Sequence, residues 1–244
     1  MTFAALTLPK YQYKVSILIP AFNEEKTIGV IMSKIVAADF ADDYEIVVVD
    51  DGSSDNTKIC VENFKNKNAH LNIIYSYQEN MGKGAAIRKA IELSSGEILV
   101  IQDADLEYDP LDIKKLIELF NNSDCKVVYG SRNMNRKNHT HSSLLFYWGG
   151  ILITIVTNIL FQSSLTDEAT GYKLFHASLF ETYCFSNNDF AWEPEITAKI
   201  LKDKINIYEA AISYHPRSRL EGKKISWMDG VKAIYVLLYE YFKK

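Results

Sequence analysis

Cysteine is scarce in this sequence and is not arranged for a metal or disulfide site. The 244 residues include three cysteines, Cys60, Cys125 and Cys184, and none of them forms a C-x-x-C pair. Their scatter argues against a zinc site and against a disulfide framework, and a reducing, cytosolic setting fits it best. Residues 1–9 lack the basic start and the long apolar run of a signal peptide, so we expect none.

Excess positive charge is also absent. The chain has 27 lysines and arginines against 31 aspartates and glutamates, which gives a net charge of -4. Without a basic footprint, binding to nucleic acid is not expected. Any phosphate chemistry in this chain must therefore depend on local cations and a metal ion.

Two glycine-rich nucleotide motifs are missing as well. In the segment Gly82-Lys83-Gly84, Ile87 stands where G-x-G-x-x-G requires a glycine. A P-loop would need glycine in place of Tyr77, and serine or threonine in place of Gly84. Lys83 is left with two interpretations, a solvated lysine at a helix start or a contact for a phosphate or ribose.

Short apolar runs alternate with helical patterns through the first half of the chain. The runs cover residues 15–20, 45–49, 73–77, 98–101 and 126–129, and a helical spacing follows each of the first four. The third of these helices is expected to end at Gly96, and the fourth to begin at Asp109-Pro110. The alternation predicts right-handed βαβ units in an α/β fold with a mostly parallel sheet flanked by helices.

The second half predicts a strand at 205–214 and amphipathic helices toward the C-terminus. A helix is predicted to start near Pro194, with Glu193 and Glu195 in its first turn. Acidic residues there interact favourably with the helix dipole, so a structural role explains their presence as well as a catalytic role does. For the last helix, core packing is favoured over a position on a membrane surface. Its apolar stripe consists of Trp227, Val231, Ile234, Tyr235, Leu238, Tyr239 and Phe242.

One long segment carries no charge. Residues 142–165 lack charged side chains, and 144–161 are mostly apolar. The length approaches that of a membrane span, but Gly149, Gly150 and Asn158 dilute it, and a span would separate Asp103 from Arg217. We favour a helix that is interfacial or lines an acceptor site over a buried core helix or a true span.

Two aspartates follow the fourth apolar run, one residue apart. In an extended chain Asp103 and Asp105 would face the same side, where they suit a hard, oxygen-seeking cation. Most Asp-x-Asp triplets are solvated turns or helix caps. The position after a buried strand favours a metal site, because ligands of α/β sheets bind beyond the carboxyl ends of the strands.

Together these residues resemble family 2 glycosyltransferases of the GT-A (Rossmann-like) fold, and among them the dolichyl- or polyprenyl-phosphate sugar synthases. The resemblance covers nearly the whole chain, in six blocks that occur in the expected order. The blocks are Ile19-Pro20-Ala21-Phe22-Asn23-Glu24-Glu25, Val49-Asp50-Asp51-Gly52-Ser53, Asn80-Met81-Gly82-Lys83-Gly84, Asp103-Ala104-Asp105, Gly130-Ser131-Arg132, and Pro216-Arg217 with Glu221-Gly222-Lys223-Lys224.

The resemblance implies a single domain of residues 1–244. Its nucleotide-sugar-binding half would be 1–132, and its acceptor-binding half 133–244 with the apolar helix 144–161. Mg²⁺ or Mn²⁺ is expected on Asp103, Asp105 and Glu107, where Glu107 replaces a common glutamine. The expected donor contacts are Pro20, Phe22, Glu24, Val49, Asp50, Asp51, Asn80, Lys83, Asp103, Ala104, Asp105, Arg217 and Lys223.

The implied activity is an inverting transfer from a UDP- or GDP-linked sugar to a polyprenyl phosphate at the cytosolic face of a membrane. A lipid phosphate held by Arg132 and Arg217 is already anionic and needs no strong base. A hydroxyl acceptor would instead require Asp167 or Glu193 to take its proton. A non-catalytic scaffold at the membrane is the remaining alternative. The expected catalytic residues are Asp103, Asp105, Arg132, Arg217, Asp167 and Glu193.

Overall fold

A computed structural model describes residues 13–41, 43–121, 125–134, 144–217 and 226–243 of the protein. Two predicted features lie outside the described residues. One is the donor contact of Lys223, and the other is the absence of a signal peptide at residues 1–9.

The strands form where β-branched and apolar residues follow one another without interruption. They are β1 Val15–Ala21, β2 Tyr44–Asp51, β3 Asn72–Gln78, β4 Ile98–Ile101, β5 Val127–Ser131, β6 Lys173–His176 and β7 Tyr208–Ala211. The helices are α1 Ile28–Ala38, α2 Thr57–Lys67, α3 Lys83–Leu93, α4 Ile113–Asn121, α5 Leu144–Phe161, α6 Leu179–Thr182, α7 Trp192–Lys202 and α8 Trp227–Phe242. A short 3-10 turn, Pro110–Asp112, leads into α4, and the predicted Asp109 cap accepts a bond from the Leu111 amide.

Within the described residues the strands form one sheet in the order β3-β2-β1-β4-β6-β5-β7. Neighbours pair in parallel except at β6, which is antiparallel to β4 and to β5. The predicted α/β fold with a mostly parallel sheet is therefore confirmed. The four-residue β6 was not predicted, and it inserts a strand from 133–244 between two strands from 1–132.

Helices cover both faces of the sheet. Successive strand residues point to opposite faces, so Ile17 packs in the core shared with α1, α2 and α4, while Leu18 packs with α3 and α7. A third cluster joins α5 and α8 to α7 through Ile153, Ala198 and Leu237. Helices α5 and α8 thus form an outer layer that reaches the sheet through α7.

Two predicted boundaries are wrong. Helix α3 ends at Leu93 with Ser94 as its C-cap, so Gly96 does not terminate it. Gly96 is instead required by close packing, because a Cβ there would lie 2.5 Å from the Ser16 hydroxyl oxygen. The strand predicted at 205–214 is shorter, since ladder pairing with β5 is confined to Tyr208–Ala211.

The prediction that the stripe of α8 packs in the core is also wrong. All its residues except Ile234 are exposed, including Tyr235 at 65% and Phe242 at 73%. The helix instead buries Ala233, Val236 and Leu237. The small Ala233 side chain allows close approach to the neighbouring helices, which turns the aromatic residues outward.

Helix α5 has one buried face and one exposed apolar face. Ile153, Thr154 and Thr157 are buried, whereas Trp148 and Ile159 are exposed. Among the described helices, none combines the length and apolarity that crossing a bilayer requires. The exposed apolar side chains of α5 and α8 are together called the apolar face. They are Trp148, Leu152, Ile155 and Ile159 of α5, and Trp227, Met228, Val231, Tyr235, Leu238, Tyr239 and Phe242 of α8.

Candidate active site

A cavity of 1330 Å³ opens where the carboxyl ends of the parallel strands meet. Its wall includes most of the residues that the sequence predicts for the site. These are Pro20, Phe22, Glu24, Asp51, Asn80, Lys83, Asp103, Ala104, Asp105, Glu107, Arg132, Asp167, Glu193 and Arg217.

Asp103 is paired with Lys83, the first residue of α3. The Lys83 ammonium lies 2.8 Å from Asp103 Oδ1 and 3.0 Å from Glu193 Oε1, so it bridges two carboxylates. Burial alone would lower the pKa of Lys83, but Asp103 and Glu193 outweigh it and hold that pKa above its usual value. The interpretation of Lys83 as a solvated lysine is therefore wrong.

Asp105 is paired with Arg217, from the segment after β7. The guanidinium lies 3.0 Å from Asp105 Oδ2 and 3.2 Å from Glu24 Oε2, and it joins the loop after β1 to the turn after β4. Burial, with the charges of Asp103 and Glu107, raises the pKa of Asp105 to about 7, although Arg217 opposes the shift. A buried carboxylate at this position thus favours an added positive charge.

Glu107, which the resemblance assigns to the metal, makes hydrogen bonds within the chain. Leu106 has φ 64, so the alternation of an extended chain is broken before Glu107. One Glu107 carboxylate oxygen accepts a bond from the Tyr214 hydroxyl at 2.9 Å, and the other accepts one from the Arg217 amide at 2.8 Å. Glu107 therefore anchors the segment that carries Arg217.

Of the two aspartates at the end of β2, only Asp51 lines the cavity. It accepts bonds from the Gln78 side chain and from the amides of Met81 and Gly82, at 2.7 to 2.9 Å. Asp50 points elsewhere, because it accepts bonds from the Ser53 amide and the Tyr75 hydroxyl. Val49 is fully buried in the core with α3. Neither Asp50 nor Val49 is therefore placed to contact a donor.

Arg132, which follows β5, is held by Asp167. Its Nε and Nη2 atoms each donate to an Asp167 carboxylate oxygen at 2.7 Å, and the Arg132 amide donates to Asp167 at 2.8 Å. Burial alone would lower the pKa of Arg132, but Asp167 raises it well above its usual value. Among the described residues, Nη1 has no hydrogen-bond acceptor. This side chain is fixed, charged and able to bind an anion.

The loop at 185–190, which was not predicted as part of the site, forms one wall of the cavity through Phe190. Arg88 donates to the carbonyl oxygens of Phe185 and Asn187, and Glu195 accepts the Asn187 amide at 2.9 Å. The Glu195 carboxylate thus has a structural role. The glycines of α3 were the available signal, because a Cβ on Gly82 would lie 2.5 Å from the Asn188 carbonyl oxygen.

Two buried charged residues adjoin this wall. The Lys173 ammonium donates to the Glu168 carbonyl oxygen at 2.7 Å and lies 3.8 Å from the centre of the Tyr129 ring. Burial lowers the pKa of Lys173 and raises the pKa of Glu168. Among the described residues, Glu168 Oε1 has no hydrogen-bond partner. In both residues burial therefore disfavours the charged form.

The chemistry of the carboxylates fits a divalent ion that binds together with a phosphate ligand. Within the described ranges, no group of three or more His, Cys, Asp and Glu side chains is placed to hold a metal. Mg²⁺ is commonly held by one or two carboxylates plus substrate phosphates. Asp103 and Asp105 provide such a pair, and Lys83 and Arg217 balance their charges until an ion binds.

Comparisons with known proteins identify the family. The sequence profile described as "Glycosyl transferase family 2" matches residues 16–184. The UDP-N-acetylglucosamine--dolichyl-phosphate N-acetylglucosaminyltransferase of Methanococcus voltae is 32% identical over 243 residues, which cover 91% of this chain and 94% of that protein. The dodecaprenyl-phosphate galacturonate synthase of Rhizobium johnstonii is 26% identical over 212 residues. The match covers 86% of this chain and 61% of the length of that synthase.

The structural comparison shows the same fold. The crystal structure of Mycobacterium tuberculosis glucosyl-3-phosphoglycerate synthase matches with a TM-score of 0.71 at 18% identity, over 95% of this chain and 82% of that one. The fold is GT-A, as the resemblance implied. On the sequence match, which spans more than half of its length, this chain belongs to glycosyl transferase family 2.

Proposed function

We propose that this chain transfers a sugar from a nucleotide-diphosphate donor to a polyprenyl-type phosphate at a membrane surface, with inversion at the anomeric carbon. One observation carries the proposal. The cavity is lined by Asp105 and Arg132 and also by Leu152, Trp227 and Val231 of the apolar face. A lipid phosphate has the same two parts, an anionic head and an apolar chain.

The donor would occupy the ends of β1, β2 and β4. Asp51 and Phe22 would face the nucleotide, and Asp103 with Asp105 would hold Mg²⁺ or Mn²⁺ against the diphosphate. A divalent ion bound there supplies Lewis-acid stabilisation of the departing diphosphate. Arg217 adds a fixed positive charge beside it. UDP-bound and Mn²⁺-bound crystal structures of the fold neighbour support this arrangement.

Arg132 would bind the acceptor phosphate. Its Nε and Nη2 atoms are committed to Asp167, which leaves Nη1 to donate to a phosphate oxygen. Because a phosphate oxygen is already anionic near neutral pH, attack on the anomeric carbon needs no strong base. Asp167 would then position Arg132, since both of its carboxylate oxygens already accept bonds.

The apolar face would place the cavity at the membrane. It joins exposed aromatic and aliphatic side chains on two packed helices, and amphipathic helices of this kind bury such faces at the lipid headgroup boundary. We propose a peripheral position on the cytosolic face. The names of two relatives, which mention dodecaprenyl phosphate and dolichyl phosphate, support a membrane lipid as the acceptor.

A hydroxyl acceptor is the second candidate, and one observation favours it. Glu193 uses Oε1 for Lys83, while among the described residues its Oε2 accepts no hydrogen bond. That oxygen is available to take a proton from a hydroxyl.

Acceptor competition tests the proposal. The full chain with Mn²⁺ and a panel of UDP- and GDP-sugars would be given polyprenyl phosphate, the matching polyprenol, and soluble sugar alcohols. We expect a lipid-linked sugar from the phosphate and none from the polyprenol. Transfer to the polyprenol or to soluble hydroxyls, with none to the phosphate, would replace the proposal with the second candidate.

A further inference from the structure

Tyr214 lies between the two arginines to which the proposed function assigns the two phosphates. The guanidinium carbon of Arg132 lies over the Tyr214 ring, 5.2 Å from its centre. The Tyr214 hydroxyl donates to one Glu107 oxygen at 2.9 Å, and the other Glu107 oxygen accepts the Arg217 amide at 2.8 Å. One ring and one carboxylate therefore join the arginine proposed for the acceptor to the arginine proposed for the donor.

The other contacts of these arginines act on one of them at a time. Asp167 binds one edge of the Arg132 guanidinium through Nε and Nη2. The Tyr214 ring contacts the face of the same group, a position that guanidinium groups favour. Arg217 is paired with Asp105 at 3.0 Å. The two aspartates each hold one arginine, whereas Tyr214 is linked to both.

Packing fixes Tyr214 itself. Its ring lies 5.5 Å from the ring of Tyr108, and the backbones of these two residues form an antiparallel bridge. Tyr108 is buried, and its hydroxyl accepts the Gly171 amide at 3.0 Å. Tyr214 therefore cannot shift without losing contacts to the turn after β4.

We infer that Tyr214 is a positioning residue, which keeps Arg132 and Arg217 at a fixed separation and so aligns the acceptor phosphate with the departing diphosphate. The inference rests on the proposed function, because it needs a phosphate at each arginine. Inverting attack requires the two oxygens to lie in line through the anomeric carbon, and a displacement of about 1 Å can cost about a hundredfold in rate. Loss of Tyr214 therefore changes alignment more than affinity.

The ratio of sugar transfer to donor hydrolysis measures this alignment. In transfer, an oxygen of the polyprenyl phosphate bonds to the anomeric carbon as the bond from that carbon to the diphosphate breaks. In hydrolysis, a water oxygen takes that place and releases a proton to solvent. Both reactions use the donor side, but transfer also depends on where Arg132 holds the acceptor. Damage to the donor side alone, or a smaller folded fraction, lowers both rates and leaves the ratio unchanged.

Tyr214→Phe keeps the ring over Arg132 and removes the bond to Glu107. With the full chain, Mn²⁺ and the preferred UDP- or GDP-sugar, the transfer rate at saturating polyprenyl phosphate would be divided by the hydrolysis rate without acceptor. We expect this ratio to fall at least about tenfold, with less than about a threefold change in nucleotide Kd. Tyr75→Phe is the matched control, because the Tyr75 hydroxyl also donates to a carboxylate at 2.9 Å, that of Asp50, and neither residue belongs to the described cavity wall. It should keep the wild-type ratio.

A second background tests the contact between the ring and Arg132. Arg132→Lys keeps the positive charge but lacks the flat group that stacks on Tyr214. Adding Tyr214→Phe to Arg132→Lys should change the ratio by less than about threefold, because coupled residues are not additive. An undiminished fall in this background would show that the Tyr214 hydroxyl acts independently of Arg132 and would overturn the inference.

The remaining outcomes separate the inference from the proposed function. An unchanged ratio in a folded Tyr214→Phe overturns the inference, and so does an equal fall in Tyr75→Phe. If Tyr214→Phe does not fold, Glu107→Asp decides instead, because its shorter side chain cannot reach both the Tyr214 hydroxyl and the Arg217 amide; an unchanged ratio there also overturns the inference. Absence of transfer to polyprenyl phosphate by the wild type contradicts the proposed function itself, and the inference falls with it.

Discussion

Replacing Asp105 with asparagine should make the metal-free protein more stable, relative to the wild type, at pH 8 than at pH 5, and it should remove the metal-dependent function. The pKa of Asp105 is raised from 3.8 to about 7, mainly by burial. Between pH 3.8 and about 7 the folded protein therefore holds a proton on Asp105 that the unfolded chain has lost. Stability is then lost as the pH rises from 3.8 to 7, because ionised Asp105 is disfavoured in the folded state.

The expected size follows from the width of that interval. At about 1.4 kcal/mol per pH unit, the charge costs about 2 kcal/mol at pH 5 and about 4 kcal/mol at pH 8. Asparagine does not titrate, so the free energy of unfolding of Asp105→Asn minus that of the wild type should grow by about 2 kcal/mol or more between these pH values. Asp105→Asn also loses bonds to Arg217 and to the Glu107 amide. Their loss changes the free energy of unfolding of the variant equally at pH 5 and pH 8, so it cancels in the comparison.

Urea unfolding with a chelator at pH 5 and pH 8 measures this difference. Asp55→Asn is a matched control, because hydrogen bonds from Thr57 and Glu25 outweigh burial and lower the pKa of Asp55. Asp55 is ionised above pH 5 in both the folded and the unfolded protein. The difference in free energy of unfolding between Asp55→Asn and the wild type should therefore be the same at pH 5 and pH 8. A difference for Asp105→Asn that is equal at the two pH values would refute the assignment of a buried, disfavoured charge.

Three further changes test other parts of the site. Gly171→Ala should lower donor binding tenfold or more with a small change in melting temperature, because its Cβ would lie 2.8 Å from Asp103 Oδ2; unaltered binding would show that Asp103 is free to move. Glu107→Gln should lower kcat more than it raises KM for the donor, because it loosens the segment that carries Arg217. If Glu107→Gln lowers kcat as much in an Arg217→Ala protein as in the wild type, the two residues are not coupled in this way. Ile159→Glu, at a position 73% exposed, should weaken binding to anionic vesicles without changing the melting temperature. Ile59→Glu, on the exposed side of α2, should leave vesicle binding unchanged. Equal loss of vesicle binding in the two variants would show that the apolar face does not bind the membrane.

The sequence predicted the fold well because the strands are unbroken apolar runs. Buried parallel strands such as β2 and β4 need such runs, and helices follow each of them. Strand β6 escaped prediction since it has four residues and begins with Lys173, whose charge is typical of the surface. Only the structure supplies the Tyr129 ring and the Glu168 carbonyl oxygen that make its burial tolerable.

The site was predicted as a set of residues and not as a set of contacts. Spacing placed Asp103 and Asp105 at the end of β4, and both line the cavity. The resemblance added Glu107 to the expected metal ligands, and the sequence does not reveal that Leu106 leaves the extended conformation or that Glu107 bonds to Tyr214 and to the Arg217 amide. Likewise, the apolar pattern of α8 identified an amphipathic helix, but the side that faces α7 depended on the small Ala233, which pattern alone underweights.

In the proposed function, nucleotide binding depends on a divalent ion held by Asp103 and Asp105. Calorimetric titration of the preferred nucleotide, UDP or GDP, with Mn²⁺ and then with excess chelator tests it directly. We expect nucleotide binding to be at least about a hundredfold weaker in chelator, and equally weak in Asp103→Asn with Mn²⁺ present. Tight nucleotide binding in chelator, or full binding by Asp103→Asn, would contradict it.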